Sequence, residues 1–257
     1  MTLQTLVSGV KVNTESVAEK MNLQSDSIVI NQCDEFGYSE YEYRGSDIKC
    51  YSFAERGVGL SRNNALLRAT ADIVLFSDED IVYEDGYAEK ILKAFEDHPK
   101  ADMLLFNMEV EADRATYHID SEMRIHRWNC GRYPTYSFAC RRESLHKKNI
   151  TFNLLFGGGA KYSNGEDSLF IQECLKKGLK IYALPVGIGR EVPRPSTWFN
   201  GYTDKFFFDR GVLYHYLYGW LATPMALRFL LRHRKTLLNE KSFKEAYALV
   251  KRGIKEA

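Results

Sequence analysis

Short apolar runs alternate with helix-like patterns along the first hundred residues of the chain. The runs at residues 27–30 and 73–76 contain no polar alternation, which is typical of strands that are covered on both faces. Tyr87, Ile91 and Phe95 recur at helical spacing. Further strands are predicted at residues 6–10 and 103–106, and a further helix at residues 60–69. This alternation predicts an α/β fold with a mostly parallel sheet and helices on both faces.

The chain becomes less regular after residue 110 and purely helical after residue 208. Two S-x-x-E patterns, Ser16 with Glu19 and Ser242 with Glu245, predict capping boxes at the starts of helices. The remaining predictions are loop or edge structure at 111–135, a strand at 136–142, a glycine loop at 157–159, a helix from Asp167 to Gly178, a strand at 181–184, and a loop at 190–205 containing Pro193, Pro195 and Trp198. We therefore expect a main domain over residues 1–208 and a helical appendage over residues 209–257.

Composition and charge exclude several classes of protein. With 45% hydrophobic residues and a formal net charge of +1, the chain is neither disordered nor strongly basic, so we expect no nucleic-acid partner. The five cysteines form no C-x-x-C pair, which argues against a disulfide framework and a structural zinc site. The first residues contain no long apolar segment after a basic patch, so we predict no secretory signal and expect a cytoplasmic protein.

An acidic triplet, Asp78-Glu79-Asp80, follows the predicted strand at residues 73–76. Residues i and i+2 at the end of a strand point to the same side, so Asp78 and Asp80 can face one divalent cation. Carboxylate oxygens suit Mg²⁺ or Mn²⁺ bound to a diphosphate, and ligands of open α/β sheets bind at the carboxyl ends of strands. The triplet alone is a weak signal, because a solvated acidic turn has the same sequence.

Two further segments contain residues that can do chemistry. Glu166 and Asp167 open a helix after the glycine loop, where a carboxylate can accept a proton from a hydroxyl nucleophile. Acidic residues are also common in any first helical turn, because they interact well with the helix dipole. Gly57 and Gly59 allow close backbone approach, and Arg62 can face a nucleotide base or phosphate. The alternative for that segment is a solvated helix face after a glycine breaker.

Taken in order, these segments resemble family-2 glycosyltransferases of the GT-A fold, of the bacterial polysaccharide type. The resemblance covers roughly residues 5–190 and rests on a G-x-G-x-S-R-N helix, a strand that runs into S-D-E-D, and G-E-D-x-x-F about 85 residues later. It implies that Asp78 and Asp80 hold Mn²⁺ or Mg²⁺, and that Asp167, with Glu166 beside it, is the catalytic base. It also implies donor contacts through Asn31, Arg62, Asp78, Glu79, Gly158 and Gly159.

The resemblance implies an inverting transfer of a sugar from a nucleoside-diphosphate donor to a saccharide or lipid-linked acceptor in polysaccharide biosynthesis. A sugar-1-phosphate nucleotidyltransferase is one alternative, although residues 8–11 are a poor triphosphate loop. A catalytically idle relative that binds nucleotide sugars is the other, and the retained Asp78, Asp80 and Asp167 argue against it.

Three positions depart from the family pattern. Residues 6–10 replace the usual P-x-Y-N end of the first strand. Where family members usually have an aspartate at the end of the second strand, residues 30–34 of this chain read I-N-Q-C-D, with Asn31 in this segment. Asn31 can still hydrogen-bond the edge of a uracil or guanine base. The additional metal-binding histidine is missing, and Glu191 or water is its expected substitute.

The region after residue 208 combines apolar, aromatic and basic residues. Residues 211–227 contain no Asp, Glu, Lys or Arg but are marginal in length for a membrane-spanning helix. Thr223 as an N-cap and Pro224 as the first helical position predict a division into two helices. Aromatic and basic residues of the type found at lipid interfaces follow one another here: Tyr214, Tyr216, Tyr218, Trp220, Arg228, Arg232, Arg234 and Lys235. We expect peripheral contact with the inner face of the cytoplasmic membrane, the alternatives being packing on the core or a homodimer contact.

Overall fold

The computed structural model describes residues 1–112, 114–193, 201–237 and 241–257. Pro195 and Trp198, within the predicted loop at 190–205, lie outside the described residues. The chain forms two compact units, the first comprising Met1–Leu154 and Glu166–Arg194 and the second Leu155–Gly165 and Pro195–Ala257. The predicted division into domains 1–208 and 209–257 stays a prediction.

The strands of the described residues are β1 (Leu3–Val10), β2 (Asp26–Gln32), β3 (Gly37–Tyr43), β4 (Ser46–Phe53), β5 (Ile73–Asp78), β6 (Ile81–Tyr83), β7 (Met103–Glu109), β8 (Met123–Arg124), β9 (Phe138–Arg141) and β10 (Ile181–Glu191). The helices are α1 (Val17–Met21), α2 (Val58–Arg68), α3 (Tyr87–Asp97), α4 (Arg142–Lys147), α5 (Glu166–Lys176), α6 (Asp204–Tyr218), α7 (Ala222–Arg232), α8 (Arg234–Leu237) and α9 (Phe243–Lys255).

The first unit is built on one mixed sheet. Its strand order is β3-β4-β2-β1-β5-β9-β7-β10-β6, with β8 paired to β10. Strands β4, β2, β1 and β5 are parallel neighbours, whereas β9 runs antiparallel to both β5 and β7. The α/β prediction is confirmed, and the parallel part of the sheet brings the carboxyl ends of four strands to one edge, where ligands of such folds bind.

Both faces of the sheet are covered, as the continuous apolar runs predict. In β5, Ile73 and Leu75 belong to one buried cluster, while Val74 and Phe76 belong to the other. Successive side chains of a strand point to opposite faces, so a run without polar residues needs helices on both sides. Helices α1 and α3 contribute residues to the first cluster, and α2 and α5 to the second.

One predicted capping box is wrong and one is confirmed. Ser16 precedes α1 with backbone angles of −116° and 0°, makes no side-chain capping bond, and keeps its hydroxyl buried. Ser242 precedes α9 with an extended backbone, its hydroxyl accepts from the backbone N–H of Glu245, and its own backbone N–H donates to the Glu245 carboxylate. An N-cap needs an extended backbone to aim its oxygen at the first helical turn, which Ser16 does not have.

In the second unit, α6 and α9 cross in close backbone contact. A Cβ atom added to Gly211 would lie 2.1 Å from the carbonyl oxygen of Val250, and one added to Gly253 would lie 2.1 Å from that of Phe208. Only glycine fits at both positions, so the two helices pack at a distance that larger residues prevent.

The predicted division of the C-terminal helical region is confirmed, but its boundary differs from the prediction. Helix α6 ends at Tyr218 and is followed by Gly219, which has a positive φ of +55°, and α7 begins at Ala222, so Thr223 and Pro224 lie inside the first turn. Pro224 lacks an N–H that this turn does not need, and it fits there without being the first residue. Among the described residues, no helix combines the length and apolar character needed to cross a bilayer.

Candidate active site

Arg62 of α2 pairs with three carboxylates from two separate segments of the first unit, the end of β5 and the start of α5. Its Nη2 lies 3.0 Å from Asp78 Oδ1, at the end of β5. Its Nη1 lies 3.1 Å from Glu166 Oε1 and 3.3 Å from Asp167 Oδ1, in the first turn of α5. We call these four residues the Arg62 cluster. The Arg62 side chain is only 4% exposed, so the pairing takes place largely out of water.

Local sequence explains how α2 brings Arg62 to this position. Gly57 precedes α2 with a φ of +131° and donates its N–H to the side chain of Gln32, at the end of β2. A Cβ atom added to Gly59 would lie 2.6 Å from the backbone oxygen of Asn153. The G-x-G pattern therefore seats the first turn of α2 against neighbouring backbone, and Arg62 follows one turn later.

Asp167 has a second hydrogen-bond donor in Thr135. Thr135, in the 3-10 turn that precedes β9, is buried and donates its hydroxyl to Asp167 Oδ1, the oxygen that Arg62 also contacts. Burial and the neighbouring charge of Glu166 raise the pKa of Asp167 to about 7, while Arg62 and Thr135 act in the opposite direction. Asp167 is therefore poised to change protonation near neutral pH.

The charge of Arg62 is held firmly by its partners. Burial alone lowers the pKa of its guanidinium, but the charges of Asp78, Asp167 and Glu166 raise it above its ordinary value. The cluster thus contains one permanent cation and three acids, and the charges of Glu166 and Asp78 are among the causes that raise the pKa of Asp167.

Asp78 and Asp80 have the chemistry of a small divalent-cation site. Asp78 keeps 25% of its side chain exposed beside Arg62, and Asp80 is half-buried. Within the described residues, no group of three or more His, Cys, Asp or Glu side chains could hold a metal ion. Mg²⁺ and similar ions are commonly held by one or two carboxylates together with substrate phosphates, so two aspartates fit such an ion only with a phosphorylated ligand.

Glu191, the expected substitute for the missing histidine, already has partners. Its carboxylate pairs with Arg114 and lies 3.4 Å from the Tyr136 hydroxyl. Its strand register places it opposite Ile81, directly after Asp80, and the N–H of Val192 donates to the Asp80 carbonyl at 2.8 Å. The backbone pairing therefore places Glu191 beside the acidic triplet. Its role as a metal ligand stays a prediction.

A cleft of about 350 Å³ lies at the same edge of the sheet, beyond the ends of β1, β2 and β4. Its lining residues are Lys11, Asn31, Cys33, Asp34, Glu35, Phe36, Gly37 and Ser52. Asn31 is buried, accepts from the N–H of Val12 at 2.8 Å, and donates to Ser52 at 3.1 Å. Phe36 is 77% exposed, which makes its ring an accessible apolar surface at this cleft. We call it the Asn31 cleft.

The structure brings some of the predicted site residues together. Arg62, Asp78, Glu166 and Asp167 meet in one cluster, and Asn31 lies in the adjacent part of the sheet edge. Glu79 and Asp80 continue the chain from Asp78. Gly158 and Gly159 belong to the second unit. The binding and catalytic roles assigned to all of these residues stay predictions.

Sequence reasoning did not find Thr135 or Phe36. Thr135 falls at the end of the irregular region 111–135, where no pattern marks one hydroxyl as special. Phe36 precedes the β3–β4 hairpin, whose alternating Y-S-E-Y-E-Y sequence and Arg44-Gly45 turn are a usable signal. Arg44 and Gly45 both have positive φ, as a two-residue hairpin turn requires.

Comparison with known proteins supports the resemblance. The family model described as "Glycosyl transferase family 2" matches residues 15–159. Crystal structures of TarS from S. aureus have a similar fold. The form of residues 1–349 with UDP-GlcNAc is 15% identical with a TM-score of 0.65, and covers 97% of this chain and 79% of that one. The same form with UDP is 16% identical (TM-score 0.62, covering 95% and 77%), and a longer TarS chain is 15% identical (0.64, covering 95% and 46%). No curated protein matches the sequence.

Proposed function

Because the chain belongs to glycosyl transferase family 2, we propose that it transfers a sugar, with inversion, from a nucleoside-diphosphate donor to a saccharide or lipid-linked acceptor in polysaccharide biosynthesis. It is a glycosyltransferase with the GT-A fold. The observation that carries the proposal is the meeting of Asp78, Asp167 and Glu166 on one buried arginine. Asp78, a proposed cation ligand, and Asp167, an acid that can take a proton, thereby contact the same guanidinium.

In this proposal Asp167 removes the proton from the acceptor hydroxyl. A general base works best when its pKa lies near the working pH, and that of Asp167 is raised to about 7. Arg62 and Thr135 both donate to Oδ1. Oδ2 is therefore the oxygen that remains available to accept the proton. The two donors fix the rotamer of the carboxylate so that Oδ2 keeps one direction.

Asp78 and Asp80 hold the cation in this proposal. Mn²⁺ or Mg²⁺, when bound with the donor, supplies positive charge that stabilises the departing diphosphate. Both oxygens of Asp78 currently face Arg62 Nη2, at 3.0 and 3.4 Å. A carboxylate has about four acceptor positions, so Asp78 can keep Arg62 while sharing a cation with Asp80.

The Asn31 cleft is the proposed site of the nucleotide base. Its volume is within the range of small-molecule pockets, and its position at the carboxyl ends of parallel strands is the usual one for such ligands. In this proposal Phe36 offers its exposed ring to the base, while the amide of Asn31, which is hydrogen-bonded to Val12 and Ser52, lines the cleft. The bound UDP and UDP-GlcNAc named in two of the TarS structures favour a uridine donor.

A thermal-shift screen of nucleoside diphosphates and their sugars, with and without Mn²⁺, tests donor and metal together. A ligand at about 100 times its Kd adds about 2.7 kcal/mol to the stability of the folded state. We expect UDP-type ligands with Mn²⁺ to raise the melting temperature of the parent chain. Asp80→Ala should lose the Mn²⁺-dependent part of that increase, and Glu42→Ala, an exposed carboxylate on β3, should keep it.

The outcomes separate the parts of the proposal. No shift with any nucleoside diphosphate contradicts the donor site. An equal shift without Mn²⁺, and in Asp80→Ala, contradicts the metal site alone. Donor binding without any transfer to saccharide acceptors favours the idle nucleotide-sugar-binding relative.

We also propose a cytoplasmic location at the inner face of the membrane. Support comes from basic and aromatic residues of the second unit, among them Trp220, Arg228 and Arg232, which are exposed. A homodimer through the same residues is the competing arrangement.

A further inference from the structure

Helix α7 buries one side and leaves an apolar stripe on another. Ala222, Ala226 and Leu230 are buried in the second unit. Leu227 and Leu231, one turn apart, are 38% and 52% exposed. Trp220, two turns before Leu227 in the 3-10 turn that leads into α7, is 89% exposed. Residues spaced by four share a helix face, so Leu227 and Leu231 form an exposed apolar stripe on α7, and the exposed ring of Trp220 lies in the turn that leads into this helix.

Four basic residues surround this stripe. Arg228 and Arg232 lie one turn apart along its side, and Arg234 and Lys235 follow directly after α7; all four are exposed. None of them has an acidic partner in the described part of the chain. We call these four residues together with Trp220, Leu227 and Leu231 the Trp220 face.

The sequence leaves this positive charge uncompensated. No Asp or Glu occurs between Asp209 and Glu240. Residues 201–257 contain eleven Lys or Arg against five Asp or Glu, although the whole chain is balanced at 35 to 34. The Trp220 face is therefore a local source of positive potential on a chain with almost no net charge.

The combination of side chains discriminates between possible partners. Single-stranded nucleic acid is bound by stacking on aromatic rings, to which Leu227 and Leu231 contribute nothing. A symmetric contact with a second copy would bring four cations against four cations, because an isologous interface pairs each patch with itself. An anionic bilayer surface takes both components, since aliphatic and Trp side chains enter the headgroup region while Lys and Arg contact lipid phosphates.

We propose that the Trp220 face docks on the surface of an anionic lipid bilayer, with Trp220, Leu227 and Leu231 at headgroup depth. Basic residues near such a surface are each attracted to anionic lipid, and here four of them act together with the apolar contacts to give reversible binding. This contact surface rests on the membrane location proposed above, and all of its residues belong to the second unit. Its test reads lipid binding without any transfer step, so that its failure leaves the proposed reaction standing.

Flotation of the full chain with vesicles provides the test. We expect flotation with vesicles that contain phosphatidylglycerol, none with pure phosphatidylcholine, and loss of binding as salt rises from about 50 mM to about 500 mM, where the Debye length shortens severalfold. Arg228→Glu with Arg232→Glu should abolish flotation, and Trp220→Ser should reduce it several-fold. Lys251→Glu with Lys255→Glu makes the same change of charge on exposed positions of α9 and should float like the parent.

Two kinds of result would overturn the proposal. Equal flotation of the Arg228/Arg232 and Lys251/Lys255 variants would show that lipid binding depends on the net charge of the chain and not on the Trp220 face. Absence of flotation at low salt would exclude lipid. In that case a dimer dissociated by Trp220→Ser would identify a second copy as the occupant, and binding of a single-stranded oligonucleotide, lost in the same variant, would identify nucleic acid.

Discussion

Arginine is used in opposite ways in the two compact units. Arg62 is nearly inaccessible and its guanidinium contacts three carboxylates, whereas Arg228 and Arg232 are exposed and have no acidic partner among the described residues. A buried guanidinium must be paired, because an isolated charge out of water is very costly. An exposed guanidinium remains hydrated and can bind an anionic group of a partner. The position of each arginine therefore decides whether its charge acts on the fold or on a partner.

The largest expected effect is on the rate of transfer and comes from the acid that Arg62 holds. Asp167→Asn removes the proton acceptor but keeps the size of the side chain and an oxygen for Arg62 and Thr135. We expect transfer to fall about 10²–10⁴-fold, the usual contribution of a general base. The melting temperature should not fall, since Arg62 keeps Asp78 and Glu166 as charged partners. Transfer at the parent rate in a radiolabelled-donor assay would show that Asp167 is not the base.

Replacing arginines in both units tests the comparison directly. Arg62→Met leaves three acids without their cation and should lower the free energy of unfolding by about 3–5 kcal/mol, the usual effect of breaking a buried ion pair. Arg232→Met should change it by no more than about 0.5 kcal/mol, as is normal for exposed positions. Denaturant unfolding followed by tryptophan fluorescence measures both. Similar losses from the two changes would contradict the contrast between the units.

A smaller effect is expected from the second donor to Asp167. Asp167 faces Arg62, Glu166, Asp78 and the Thr135 hydroxyl, and this hydroxyl lowers its pKa. The base must be ionised to act, so transfer should decline as pH falls below about 7 in the parent. Thr135→Val removes a donor to the ionised form and should move that decline to higher pH. At pH 6 we expect transfer to be about tenfold below the parent, since a tenfold change corresponds to about 1.4 kcal/mol, the lower end for a hydrogen bond to a charge.

Thr135→Ser provides the control for this prediction because it retains the hydroxyl. A pH–rate profile that returns to that of the parent in Thr135→Ser supports the positioning role. Identical profiles in Thr135→Val and the parent would show that the hydrogen bond does not influence the base.

The sequence predicts those parts of the molecule that depend on local patterns. The apolar runs of β2 and β5 identify strands that are covered on both faces. The Gly57-x-Gly59 pair indicates the start of the helix that contains Arg62, and the acidic triplet indicates the end of the strand at Asp78. The hairpin of β3 and β4 also has a local signal in its alternation and its turn. These features are predictable because a few neighbouring residues determine them.

Features that depend on distant contacts are not predictable in this way. Ser16 and Ser242 share the same S-x-x-E pattern, yet only Ser242 has the extended backbone that a capping box needs. Thr135 and Asp167 are 32 residues apart, and no sequence spacing indicates that the Thr135 hydroxyl donates to the Asp167 carboxylate. Arg62 illustrates both cases, since its helix is predictable and its simultaneous pairing with three acids is not.

The single guanidinium at the centre of the Arg62 cluster also sets the order in which mutations can accumulate there. Loss of Arg62 leaves three acids buried together, whereas loss of Glu166 leaves a cation shared by two. Effects at contacting residues are non-additive by about 0.5–3 kcal/mol, so the effect of each substitution on stability depends on whether the other is already present. A lineage that drifts away from activity therefore loses an acid before it loses the arginine, and the reverse path passes through an unstable intermediate.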